Sequence, residues 1–211
     1  MLGISISERT VSRILRTLSR PPTQTWKTFL HNHLDQTVSM DFFTVPTVTM
    51  KVLFVFVILE HRRRQVLHFN VTEHPTSAWT AQQIVEAFAD RESARYVIRD
   101  RDSIYGNEVR VRIASLGLEE VLTAPQSPWQ NPYAERLIGS VRRECLNHFV
   151  ILNARHLKRI LTLYFRYYHG SRTHLALDKQ CPLPQAVSRT GRMVKIPQVG
   201  DLHHRYERVA A

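Results

Sequence analysis

Between residues 36 and 72 the apolar positions crowd into three runs separated by short polar breaks. TVSMDFFTV, MKVLFVFVILEH and RQVLHFNVT are rich in β-branched and aromatic residues, which predicts three strands. The tight basic turn HRRR (61–64) joins the second to the third, so two sequential hairpins form an antiparallel meander. After Pro75 the period changes. TSAWTAQQIVEAFAD (76–90) is helical in pattern, with Thr76 or Ser77 as its cap. RYVIRD predicts a short fourth strand, residues 107–116 a helix, and EEVLTA a fifth strand. A helix is expected from Pro132 to about Phe149 and another from Ala154 to about Tyr168. The final forty residues carry Pro, Gly and Arg and read as irregular. Ahead of the strands, SERTVSRILRTL (7–18) reads as a helix capped by Ser7, with Val11, Ile14, Leu15 and Leu18 on one stripe. Arg13, Arg16 and Arg20 fall toward the other side, and PPTQTWKTFLHNH reads as an extended linker.

The later strands are reached by helical crossovers, so they should lie parallel to the first. The expected class is α/β: a mixed five-stranded sheet flanked by helices, with a short N-terminal helical appendage. The ribonuclease H-like fold has this arrangement. The division expected is a helical appendage at 1–20, a linker at 21–35, a core at 36–185 and a basic tail at 186–211.

Charge narrows the function. Lys plus Arg number 29 against 18 Asp plus Glu, giving +11 and a pI near 10.3. Such an excess favours a polyanionic partner, and the preponderance of arginine, which grips phosphate with a planar fork, points to nucleic acid. The two cysteines, Cys145 and Cys181, have no metal-binding spacing and read as reduced structural thiols of a cytoplasmic protein. The longest apolar run, residues 52–59, is too short to span a bilayer, so no membrane association is expected.

In so basic a chain, three acids stand out. Asp41 sits inside the first strand, where a charge is costly unless it is paired, binds a metal or faces solvent. Asp100 ends the fourth strand, where open α/β sheets gather ligands; Asp102 competes with it, and either can be a plain turn-forming aspartate. Asn131 is a plausible N-cap and Pro132 a first helical residue, which puts Glu135 at the end of the first helical turn. The helix macrodipole alone would favour an acid there. Gly139 and Arg142 follow on the same face, so a gap and a base line up behind the carboxylate. Two aspartates and a glutamate are hard oxygen ligands suited to Mg²⁺ or Mn²⁺. Two such ions activate a nucleophile and stabilise the leaving oxygen in displacement at phosphorus.

SMDFFTVP, IRDRDSIYG and APQSPWQNPYAERLIGSVRREC resemble the three acidic motifs of the DDE integrase core, as found in bacterial insertion-sequence transposases of the retroviral-integrase type. The resemblance runs from about residue 36 to 185, and YYHGSRTHLALDKQCP (167–182) is similar to the ending of the same domain, with His169 in place of the usual Asn. It implies catalytic, metal-binding Asp41, Asp100 and Glu135. Between the last two lie 34 residues, against roughly 35 typical of the group; counting from Asp102 gives 32. Asp102 occupies a position that is Gly in many relatives. The implied activity is metal-dependent cleavage of a DNA strand at an element's end, followed by attack of the freed 3′-hydroxyl on target DNA. The implied partners are both DNAs and further copies of the chain, in the bacterial cytoplasm at the nucleoid. TVSRILRTL resembles the tail of a helix-turn-helix recognition helix, which implies that the full protein begins earlier. LHHRYERVAA resembles the natural C-terminus of such proteins.

Arg136, Arg142 and Arg143 beside Glu135 are candidate phosphate contacts, as are Arg13 and Arg16 in the appendage. Gln130 and Asn131 are candidate substrate contacts, although capping alone would explain Asn131. Trp129 and Tyr133 can stack on a base but more commonly pack. HRRR reads as a solvated turn, His169 and His174 as packing or phosphate contacts, and His203 and His204 as exposed. Two other readings remain open: a ribonuclease H-like nuclease that cuts without joining, and a non-catalytic DNA-binding remnant.

Overall fold

The structure is a computed structural model that describes residues 7, 9–10, 24–89, 94–184 and 190–209. It divides into two compact units, Met1–Asn32 and His33–Ala211. Of the appendage helix expected at 7–18, only Ser7, Arg9 and Thr10 are described; the rest, with Arg13 and Arg16, lies outside the described residues. In the first unit the stretch expected as extended linker instead contains a helix, α1 (Trp26–Asn32). Thr25 opens it by accepting a hydrogen bond from Thr28 N at 3.2 Å, a local cap that outweighs the two prolines upstream.

In the second unit, β1 (Thr37–Pro46), β2 (Val52–Glu60) and β3 (Val66–Thr72) form the expected antiparallel meander. β4 (Tyr96–Arg99) and β5 (Glu119–Leu122) add in parallel on the other side, giving the order β3-β2-β1-β4-β5. Between them lie α2 (Ser77–Phe88), capped by Thr76, and α3 (Asn107–Ser115). α4 (Pro132–Glu144) and α5 (Ala154–Gly170) follow.

β2 shows why its sequence is an unbroken apolar run. Leu53, Val55, Val57 and Leu59 bury against α4 and α5 residues such as Leu137, Val141, Leu161 and Tyr164. Phe56 and Ile58 bury on the opposite face against Ile84 and Ala87 of α2 and Val109 and Ile113 of α3. A strand covered on both sides has no polar face to alternate with. α5 contributes the stripe Leu157, Ile160, Leu161, Tyr164, Phe165 and Tyr168, the spacing of one helical face.

Two expected boundaries move. α4 stops at Glu144 rather than near Phe149, because Cys145 leaves the helical conformation (φ −137°, ψ −70°) and buries in the core. A short 3-10 turn, Leu146–His148, follows. The C-terminal region, expected as irregular, forms a hairpin of β6 (Arg192–Gln198) and β7 (His203–Val209). Its turn passes through Val199, Gly200 and Asp201, all with positive φ, and Val199 is buried in the core beside α5. Among the described residues no helix is long and apolar enough to cross a membrane.

Candidate active site

β1 and β4 pair only through Thr37–Ser39 and Tyr96–Ile98. Beyond that point the strands part, and the next in-register positions on the same face are Asp41 and Asp100. Alternation along β1 puts Ser39, Asp41, Phe43 and Val45 on one side, and Phe43 and Val45 bury against α4 and α5. Asp41 therefore faces α4, whose first turn carries Glu135. Asp41, Asp100 and Glu135 all line a single cleft of about 400 Å³, together with Asp102, Arg101, Asn131 and the 123–127 loop. Three separate elements thus deliver the three carboxylates to one place.

Their environments differ. Asp41 is half-buried, whereas Asp100, Asp102 and Glu135 are exposed. Burial pushes the Asp41 carboxyl up to about 7, opposed by a hydrogen bond from Phe42 N and reinforced by the charges of Asp100, Glu135 and, last, Asp102. Asp102 is engaged locally. Its Oδ1 accepts from Ile104 N at 3.0 Å and Ser103 Oγ at 3.3 Å, which closes the turn that follows β4. Asp100 Oδ1 accepts from Asp102 N at 3.1 Å.

Among the described residues no group of three or more His, Cys, Asp or Glu side chains is already drawn together as a metal cage. The carboxylates share a cleft instead.

The backbone that presents Asp100 is pinned from below. Arg99 is buried, and its Nε donates to Glu120 Oε1 on β5 at 2.7 Å, with Nη2 2.5 Å from the same oxygen. Nη1 donates to Asp100 O at 2.7 Å. Arg101 Nε donates to Thr123 O at 2.9 Å, leaving the rest of its guanidinium at the cleft wall. The Arg99–Glu120 pair and Arg101 escaped the sequence reading; the alternation of Arg and Asp in RDRD is the only local sign of either.

Asn131 precedes α4 as expected but makes no capping hydrogen bond. It is buried, at 4% exposure, and its Oδ1 has no hydrogen-bond partner among the described residues. Gln130 Oε1 accepts from Ala124 N at 2.6 Å and braces the loop. Arg136, Arg142 and Arg143 are exposed along α4. Arg142 reaches back to Thr44 O at 3.3 Å. The space over Gly139, expected to be open beside the carboxylate, is filled by Arg143, whose Nη1 lies 2.9 Å from where a Cβ would stand. Trp129 is 63% exposed beside the cleft loop.

The HRRR turn is not a solvated one. His61 is buried, bonded to Ser39 Oγ at 2.5 Å and stacked on Tyr133 at 4.1 Å. Arg64 covers the Tyr133 ring at 3.9 Å. Burial, with the Arg64 charge, lowers the His61 pKa to about 3, so it stays neutral. Arg63 donates to the carbonyls of Cys181 and Pro182 at 2.9 and 3.1 Å. The turn therefore ties the start of α4, two residues before Glu135, to the meander and the 180–182 loop.

His169 and His203 are structural. His169 Nε2 accepts from Val66 N at 2.9 Å. His203, expected to be exposed, stacks on Tyr167 at 4.3 Å and is bonded to Glu144 O at 2.7 Å, which fastens the hairpin to the core. Buried Cys145 has its thiol pushed up to about 12 by desolvation, and both cysteines are free thiols.

Residues 116–182 match the family of integrase core domains. No curated protein sequence matches the chain. Among solved structures the chain superposes on the catalytic domain of the Mos1 mariner transposase at TM-score 0.57 and 17% identity, covering 79% of this chain and 85% of that one. It also superposes on a chain of the simian T-cell lymphotropic virus intasome at TM-score 0.58 and 13% identity, covering 82% of this chain and 66%, just under two thirds, of that one. The magnesium complex of the HTLV-2 integrase catalytic core domain gives TM-score 0.53 and 10% identity, covering 70% and 93%. At these identities the likeness to solved structures is one of fold, and that fold is ribonuclease H-like. Residues 116–182 are thus similar to integrase core domains, and the chain as a whole shares the fold of transposase and integrase catalytic domains.

Proposed function

We propose that this chain is the catalytic core of a transposase that cuts a DNA strand and joins the freed 3′-hydroxyl to a second DNA. The observation that carries the reading is the convergence of Asp41, Asp100 and Glu135 from β1, β4 and α4 on one cleft of a chain with net charge +11. Asp41, Asp100 and Glu135 are the metal ligands and catalytic carboxylates in this reading, and Asp102 closes the turn beside them. The donor set is all hard oxygen, and burial, reinforced by the neighbouring acids, raises the Asp41 carboxyl to about 7, as expected where a cation belongs. A pair of Mg²⁺ or Mn²⁺ ions bound there would activate the attacking oxygen and stabilise the leaving oxygen of an in-line displacement.

The protein's own groups have separable tasks. Arg101 at the cleft wall and Arg136, Arg142 and Arg143 along α4 hold backbone phosphates and set the register of the strand. Asn131 at the cleft wall is a substrate contact, and Gln130 keeps the loop in place for it. Residues 36–185 are the catalytic core. Residues 1–20, with Arg13 and Arg16, are a DNA-contacting appendage joined through 21–35, and 186–211 is a basic tail. The chain acts as a homo-oligomer on paired DNA ends at the bacterial nucleoid; light scattering on paired-end DNA should give a mass of at least two copies.

The test is strand transfer on a pre-cleaved or branched DNA in Mn²⁺. Asp41→Asn, Asp100→Asn and Glu135→Gln should each abolish joining while DNA binding persists, and Asp102→Asn should retain it. Cleavage without any joined product would favour a nuclease. An inactive Asp102→Asn beside an active Asp100→Asn would reassign the second carboxylate.

A further inference from the structure

The C-terminal hairpin has two unlike faces. Opposed residues of an antiparallel pair share a face, so Met193 with Arg208, Lys195 with Tyr206 and Pro197 with His204 lie together. The other face carries His203, which is fastened to Tyr167 and Glu144, and so turns toward the core. The first face turns away and stays open: Tyr206 is 63% exposed and Met193 59%. With the chain leaving α5, at Gly170–Thr173 and Lys179–Cys181, β7 from His204 to Arg208 and Met193 of β6 wall a groove of about 710 Å³.

Charge around the groove is one-sided, with Lys195 standing beside it, across the ladder from Tyr206. Lys179, Lys195 and Arg208 take part in none of the ion pairs among the described residues. Among the described residues Arg208 donates to Gly191 O, at 3.0 Å, and to no carboxylate. The one acid lining the groove, Glu207, is paired with Arg205 at 2.9 Å, and Asp201 at the hairpin turn is held by His204 at 2.8 Å. An exposed aromatic ring with a lysine directly across the ladder and an arginine two residues along is the pattern that holds a nucleic-acid strand: cations for phosphates, a ring for a base. The bases of a duplex are already stacked on each other and present no face to Tyr206, whereas those of a single strand do.

We infer that the outward face of the hairpin and the 170–181 segment form a second DNA site, separate from the carboxylate cleft, that holds a single-stranded stretch by stacking on Tyr206 and by phosphate contacts from Lys179, Lys195 and Arg208. The inference rests on the reading of DNA as the substrate. It gives the C-terminal hairpin the task of holding an unpaired strand that cleavage or fraying exposes.

The test is fluorescence anisotropy of the full chain in EDTA, which removes catalysis from the readout, with a short oligothymidylate and a hairpin duplex of matched charge as probes. Tyr206→Ala should weaken oligothymidylate binding about tenfold or more, and Tyr206→Phe should keep it. Lys195→Ala with Arg208→Ala should flatten the dependence of log K on log salt by roughly 1.4, the single-strand value for two phosphate contacts. Duplex affinity should hold within about twofold in Tyr206→Ala, because no stacking is lost there. The inference is overturned if Tyr206→Ala is silent, if duplex and single strand lose equally, or if the wild-type chain does not bind oligothymidylate. Failure of joining with this pattern intact would sink the proposed activity and leave the groove standing.

Discussion

Glu120→Ala should be among the most damaging single substitutions outside the core. The Arg99 side chain is 2% exposed and that of Glu120 is 22% exposed, so the pair is screened by protein more than by water. Removing Glu120 leaves a buried guanidinium with the Asp100 carbonyl, at 2.7 Å, as its remaining hydrogen-bond acceptor. Breaking such a pair from one side costs about 3–5 kcal/mol, whereas an exposed pair is worth about 0–1. For a chain of this size the loss corresponds to a fall in Tm of roughly 6–20 °C. The double variant Arg99→Met/Glu120→Leu removes the attraction and the burial cost together, and should return to within about 1–2 kcal/mol of the wild type. It also removes the Nη1 bond that steadies Asp100, so it should fold yet join DNA poorly. Thermal unfolding by circular dichroism on Arg99→Met, Glu120→Leu and their combination measures the coupling directly. A cost below about 1 kcal/mol for Glu120→Ala would show that the pair behaves as a surface one. A double variant as unstable as the single would refute the argument from burial.

Further outcomes follow from particular groups. The folded pKa of Asp41, about 7, lies above its ordinary value of 3.8, so the metal-free protein should lose stability as pH rises between the two. Mg²⁺ or Mn²⁺ should then raise Tm more at pH 8 than at pH 6, and Asp41→Asn should abolish that pH dependence in differential scanning fluorimetry. Gly139→Ala should stabilise α4 by up to about 0.8–1.0 kcal/mol, because the obstructing Arg143 is flexible at its tip; a lower Tm would show that Arg143 is held rigidly. Arg172 donates to both oxygens of Glu144 at 2.7 and 2.6 Å, and these bonds and its charge hold the Glu144 carboxyl below its usual range against the effect of burial. Arg172→Ala should cost about 1.5–3 kcal/mol at pH 7. Because a depressed carboxyl stabilises only above its folded pKa, that deficit should shrink in urea titrations as pH falls below 4.5.

Much of the molecule is determined by local sequence. The five strands and their order follow from where apolar runs alternate with helical periods. The doubly covered sheet follows from β2, whose unbroken apolar run makes sense only with helices on both faces. The residue types of the cleft, two aspartates at strand positions and a glutamate in a first helical turn, are visible because each is an acid in a basic or apolar setting. Tertiary structure decided what depends on residues far apart in the chain. No local pattern distinguishes an arginine that reaches solvent from Arg99, which finds Glu120 on a neighbouring strand. HRRR looks like a solvated turn until Tyr133 and the 180–182 loop close over it. The terminal hairpin has weak strand character of its own; it is fastened by His203 on Tyr167 and by Val199 in the core, and short-range propensity carries no record of those contacts. Asp100 and Asp102 likewise differ little in sequence, and only the fold gives Asp102 a turn to close while bringing Asp100 level with Asp41 where β1 and β4 part.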